Sequence, residues 1–180
     1  MTDPAKDLIR MDITELILSQ HHEQRRTFAL LDDIARDDAD QLAPVWSRLE
    51  VQLEVHADAE ERFFYPRLLA IGTRGGGPDS VDSEVKDAIK DHNEIRAGIR
   101  KARQHKPGTN EWWAAVLETR KANGDHMAEE ERDDLPDFCR RADLQARHEI
   151  ALQFITYESQ HAAGIALQDK DPDAYVKQKG

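Results

Sequence analysis

The chain has 180 residues, enough for one domain with a substantial core, and 34% of them are charged. Lys+Arg number 25 against 36 Asp+Glu, a net charge of -11, and so acidic a surface repels phosphate backbones and anionic lipid, which argues against nucleic-acid and membrane partners. No apolar run reaches the roughly 18 residues of a membrane span, the polar start lacks a signal-peptide core, and the single Cys139 admits no internal disulfide, so the expected location is the cytoplasm.

Apolar residues recur at helical spacing nearly throughout and no alternating strand pattern occurs, so the chain reads as all-α. Helix one is predicted over about 12–35, with Asp12 as N-cap and Glu15 three residues on. Helix two covers about 39–71, and the glycine-rich stretch from Gly72 to Ser80 is the strongest break in the chain. Helix three spans about 81–104 and is ended by Lys106-Pro-Gly-Thr109; helix four runs from about 110 and stops by Pro136. A fifth helix over about 142–167 is apolar nearly all round and is expected to pack on the others, and the tail from Asp169 to Gly180 is expected to be loosely held. The short connections favour an up-down four-helix bundle over 12–140, followed by a helical extension over 141–168 and a tail over 169–180.

One pattern occurs twice, seventy residues apart: His-x-x-x-Glu-Glu with a proline ten residues after the histidine. The copies are His56 to Glu60-Glu61 with Pro66, and His126 to Glu130-Glu131 with Pro136. Each is preceded by His-x-Glu-x-Arg, His21 to Arg25 and His92 to Arg96, at intervals of 35 and 34 residues between the histidines. Residues four apart share a helix face, so each copy aims an imidazole and a carboxylate the same way. The chain reads as two helical hairpins carrying one ligand set.

An isolated His-x-x-x-Glu is commonly a surface ion pair. Phase argues otherwise here. Val85, Ala88, Ile89, Ile95 and Ile99 share the stripe of His92; Ile17, Leu18, Phe28 and Leu31 that of His21; Leu49, Leu53, Phe63 and Phe64 that of His56. His22 falls among charged neighbours on the solvent side. His126 has the poorest stripe, with Thr119, Ala122, Asn123 and Asp133. Burying Glu60 and Glu130 among apolar helices would cost several kcal/mol each without a cation. Four imidazoles and two carboxylates exceed a tetrahedral zinc site and suit two ions bridged by carboxylate, with iron, zinc, copper and nickel all compatible.

The order His21, His56-x-x-x-Glu60, His92, His126-x-x-x-Glu130 resembles the hemerythrin-like family, the HHE cation-binding domain, over about residues 12–140. The resemblance implies a four-helix bundle around an oxo- or hydroxo-bridged diiron centre. His21, His56, His92 and His126 would be terminal ligands, and Glu60 and Glu130 the bridges. Oxygen-carrying members have a further histidine where this chain has Arg96, and space the last acid five residues from its histidine, where Glu131 stands. The pattern is more similar to bacterial members associated with peroxide, nitric oxide or sensing. On the fifth helix Tyr157 and His161 sit four apart, either as packing residues or as groups that fill the missing ligand position.

The expected function is reaction with a small oxidant, peroxide or nitric oxide ahead of dioxygen, at two iron ions. The alternative is a module that binds or senses oxygen, nitric oxide or iron without turnover.

Overall fold

The structure, a computed structural model, describes residues 10–72 and 80–180. The described residues form helices and no strand. Four long helices make the bundle: α1 (Ile13–Asp33), α2 (Ala39–Ala59), α4 (Val81–Ala102) and α5 (Asn110–Glu129), with α3 (Tyr65–Ile71) and α6 (Leu135–Arg141) prolonging α2 and α5. α7 (Leu144–Gln160) and α8 (Pro172–Lys179) pack on its flank. Most of the glycine-rich break lies outside the described residues.

Local sequence sets the helix starts. Asp12 caps α1 by accepting from Thr14 N–H, Asp38 caps α2 through Gln41, and Thr109 caps α5 through Trp112. The short connections 34–38 and 103–109 then turn α2 back along α1 and α5 back along α4.

The repeated proline acts inside a helix rather than at its end. Pro66 and Pro136 lack the N–H that an α-helix needs and would clash with the carbonyl four residues back. The chain accommodates each with a π turn, Glu60–Phe64 and Glu130–Asp134, in which Tyr65 N–H reaches Glu60 O and Leu135 N–H reaches Glu130 O. Helix four therefore does not stop at Pro136; it continues as α6 to Arg141.

Two apolar clusters occupy the bundle's two ends. One joins Ile13, Ile17, Phe64, Leu68, Val85, Ile89, Phe138 and Phe154; the other joins Phe28, Leu31, Trp46, Leu49, Ile95, Ile99 and Trp112. Between them each long helix contributes buried polar residues: His21 and Gln24, Glu54 and His56, His92 and Arg96, Asn123 and His126. His22 is exposed, as its phase requires. The polar stripe around His126 is this layer itself. Thr119 Oγ1 donates to Ala115 O at 2.9 Å and Asn123 Nδ2 to Gln24 Oε1 at 3.0 Å.

The expected loose tail is ordered and docked. α7 ends at Gln160, short of the predicted 167, and Gly164 at φ 95° lets the chain turn back. Asn93 grips the returning segment through both its amide atoms, donating to Lys170 O at 2.7 Å and accepting from Lys170 N–H at 3.0 Å. Lys170 pairs with Asp58 at 2.9 Å and with Glu61, and α8 buries Tyr175 and Val176 against the bundle. Polar composition concealed a segment tied down by a cation and one aromatic.

Two outcomes follow from this packing. Lys170→Met removes the cation that pins 161–180, so amide exchange over Tyr175 and Val176 should accelerate and stability fall by about 1–3 kcal/mol; unchanged protection would contradict the docking role. Gly98 lets α4 approach α5, because a Cβ there would lie 3.2 Å from Thr119 Cα and nearer still to its Oγ1. Gly98→Ala should cost about 1–3 kcal/mol in denaturant unfolding, since the Thr119 hydroxyl is already committed to Ala115.

Candidate metal centre

The four helices aim four imidazole Nε2 atoms at two carboxylates from the π turns. His21, His56 and Glu60 form one group of ligand-type atoms, and Glu60, His92 and His126 another, each with all atoms within 4.8 Å of one another. Glu60 divides its oxygens between them: Oε1 lies 3.0 Å from His56 Nε2, and Oε2 lies 3.2 Å from His92 Nε2 and 3.7 Å from His126 Nε2. Glu130 Oε2 spans the other diagonal, 3.4 Å from His21 Nε2 and 3.5 Å from His126 Nε2.

Every member is buried, and most of their inward atoms face one another without a hydrogen bond. His21 Nε2, His56 Nε2, both oxygens of Glu60 and Oε2 of Glu130 have no hydrogen bond. His92 Nε2 and His126 Nε2 face each other at 3.0 Å. Buried polar groups are ordinarily satisfied, and this many orphans around one point is what a site for cations looks like without them.

The outward ring nitrogens of His21, His56 and His92 are held, and here the internal repeat extends further than the ligand pattern. His92 Nδ1 meets Glu61 Oε1 at 2.8 Å, and Arg96 Nη2 donates to that same oxygen at 2.9 Å. His21 Nδ1 meets Glu131 Oε1 at 2.9 Å, and Arg25 Nη1 pairs with it at 2.8 Å. The second glutamate of each pair and the arginine of each His-x-Glu-x-Arg thus orient a histidine across the hairpins. His56 Nδ1 meets Gln20 Oε1 at 2.6 Å, and Asp91 stands near His126 Nδ1 at 3.9 Å; each precedes the first histidine of its hairpin. With Nδ1 engaged outward, Nε2 is left for a ligand's role. The same geometry separates Glu130 from Glu131: the first faces two Nε2 atoms, the second a single Nδ1.

Charge follows from this packing. Burial opposes ionisation of Glu60, yet His56, His126 and His92 overcome it and hold the carboxyl well below its usual range. Glu61 is lowered to about 2, because His92, Arg96 and Lys170 outweigh its burial. Burial works against a proton on His126 too, but Glu130 and Glu60 raise it to about 9.

Two residues in the layer carried no sequence signal that phase could read. Tyr65 Oη donates to Glu130 Oε1 at 2.7 Å, and burial together with the Glu130 charge keeps the phenol protonated. It lies four residues beyond Glu61, while the repeat places Leu135 at the equivalent position. Lys170 reaches Glu61 from a tail whose sequence offers no periodicity. Arg96, standing where a fifth histidine would be, is fully buried and donates to Glu54 at 2.9 Å as well as to Glu61.

Tyr157 and His161 do not reach the cluster. Tyr157 Oη donates to Asp58, and His161 stacks on the Tyr157 ring at 4.1 Å with Nδ1 turned to Tyr157 O. A cavity of about 560 Å³ reaches His56 between α1, α2 and α7, lined with Gln20, Gln24, Gln52, Val55 and Glu158. No helix among the described residues is long and apolar enough to cross a membrane.

The family description "Hemerythrin HHE cation binding domain" matches residues 12–138, which include all four histidines and both glutamate pairs. No curated protein and no solved structure matches the chain significantly. With the match covering most of its length and the cation-ligand groups at its centre, the chain belongs to the hemerythrin HHE cation-binding domain family.

Proposed function

We propose that the layer holds two iron ions with a bridging oxo or hydroxo group and reacts with a small oxidant, peroxide or nitric oxide ahead of reversibly carried dioxygen. His21 and His56 would serve one ion, His92 and His126 the other, with Glu60 and Glu130 shared. The observation that carries this reading is the set of four buried Nε2 atoms facing the oxygens of a divided Glu60 and of Glu130, most of these atoms without a hydrogen bond. Iron bound there would supply Lewis acidity and redox equivalents toward the oxidant.

The chain's own residues do the rest. Glu61, Glu131 and Gln20 fix ring orientation, so Nε2 lone pairs are presented without reorganisation. Tyr65 holds Glu130 Oε1 and leaves Oε2 turned inward. The cavity at His56, where Gln20, Gln24 and Gln52 stand beside Glu158, admits a small molecule from the side of α7, while the apolar cluster with Phe154 limits water. Arg96 presents no imidazole, and its guanidinium is consumed by Glu54 and Glu61. That substitution is the support for turnover over carriage.

Metal analysis of the purified protein should return about two irons per chain, as a dinuclear site requires; a value near zero refutes the proposal. His56→Ala should lose iron and abolish gas evolution from peroxide. Equal evolution in that variant would remove the catalytic reading, and a visible band that forms and fades through oxygen cycles would favour carriage.

Loading should also depend on pH. His126 carries its proton up to about 9 in the metal-free protein, so below that value a cation must displace it. The proton's stabilising contribution is present below the ordinary imidazole value and is lost as pH rises through about 9. Chelator competition should therefore show affinity rising by about tenfold per pH unit for each displaced proton, then levelling near that pH. A flat profile from pH 6 to 9, a window of roughly three units, would contradict a proton held on His126 by Glu130 and Glu60.

A further inference from the structure

A second cavity, of about 440 Å³, reaches the same centre through His126 and Glu130. Its chemistry differs from that of the cavity at His56. Asp87, Glu129, Asp133 and Asp134 line it, and the basic side chain present, Arg132, is paired with Asp133 at 2.7 Å. Asp87, Glu129 and Asp133 are exposed, whereas Asp134 is 4% exposed and its Oδ1 has no hydrogen-bond partner. Burial first, then the Glu130 and Glu84 charges, push the Asp134 carboxyl well above its usual range. Asp134 is therefore a buried acid held protonated among like charges, and a cation beside it would replace that proton.

We propose that this acidic cavity is a loading vestibule, in which Asp134 and the surrounding carboxylates hold a hydrated divalent cation and pass it to His126 and Glu130. The inference rests on the dinuclear reading above and adds a transit position outside it. The vestibule's carboxylates do not form a group as tight as the ligand clusters, which suits a hydrated ion in passage rather than one held permanently. A cleft lined with one sign of charge raises the local concentration and on-rate of the opposite ion by about 10- to 1,000-fold, an advantage that salt removes. Hard divalent ions take carboxylate oxygens on the way in and exchange them for imidazole at the centre. The cavity at His56 has fewer carboxylates, Glu158 and a Glu23 that is paired with Arg48 at 3.1 Å.

The test uses metal-free full-length protein and Co²⁺ as the probe, following growth of its visible absorption by stopped flow. Asp134→Asn is expected to slow loading at least about tenfold while the final stoichiometry matches wild type, and to flatten the wild type's dependence on ionic strength. Because Asp134 is buried and its replacement could disturb folding, the double variant Asp87→Asn/Asp133→Asn, at exposed positions, provides the same readout; it should be slowed in the same sense. Wild-type rates and salt dependence in both overturn the vestibule and leave the centre standing. A lower endpoint at a normal rate also overturns it, by making Asp134 part of the centre. Wild-type protein that takes up no Co²⁺ overturns the dinuclear reading itself.

Discussion

The constraint on which this fold turns is the cost of a polar layer between two apolar clusters. Ionised carboxylates such as Glu60 and Glu130 pay several kcal/mol each for leaving water, and only partners of opposite charge recover it. Protons on His56 and His126 meet part of that need in the metal-free chain, since both imidazoles are raised above their ordinary value by the carboxylates beside them. The four long helices, α2 and α5 together with their continuations α3 and α6, are patterned to suit this layer. Each runs from apolar cluster through buried polar residues to the other cluster, and neither end could close if one helix slid by a turn. The layer therefore sets helix register as well as chemistry.

The π turns are how the sequence delivers two adjacent glutamates to different tasks. In an ideal helix Glu60 and Glu61 would diverge by about 100° and one would leave the core. Both stay buried: Glu60 enters the ligand cluster and Glu61 reaches His92 Nδ1 on a neighbouring helix. The proline five or six residues on is the cause, because its missing N–H favours the wider turn. What reads in sequence as a helix terminator is the device that places the carboxylates.

Phase made His21, His56 and His92 legible, because their stripes are apolar on both sides. It worked poorly for His126, whose neighbours Thr119 and Asn123 are polar residues satisfied by Ala115 and Gln24 rather than solvent. Adjacent Glu130 and Glu131 could not be separated by a period of 3.6, since a π turn changes the period where they sit. The arginines of His-x-Glu-x-Arg were visible as a repeat, yet their role depends on the opposite hairpin and so on tertiary contact. Tyr65 and Lys170 lie outside any period: one is a break in the repeat, the other a contact made after the chain has turned at Gly164.

The two halves share a pattern but not an environment, and this decides how they divide the work. Arg96 is buried because Glu54, two residues before His56, neutralises it; the matching position before His126 is Gly124, and Arg25 remains 39% exposed. Lys170 adds a further charge beside Glu61, with no counterpart at Glu131. His92 is thereby locked in a buried network of fixed charges, while His56 is oriented by the neutral amide of Gln20 and borders a cavity. A rigid, charged surrounding resists change in coordination, and an edge that opens on a cavity accommodates it. On the proposed reading the His21 and His56 side is where the oxidant meets the centre. His92 keeps its geometry fixed while His126 borders the acidic cavity, and the asymmetry laid over the repeat turns a symmetric ligand set into a directional site.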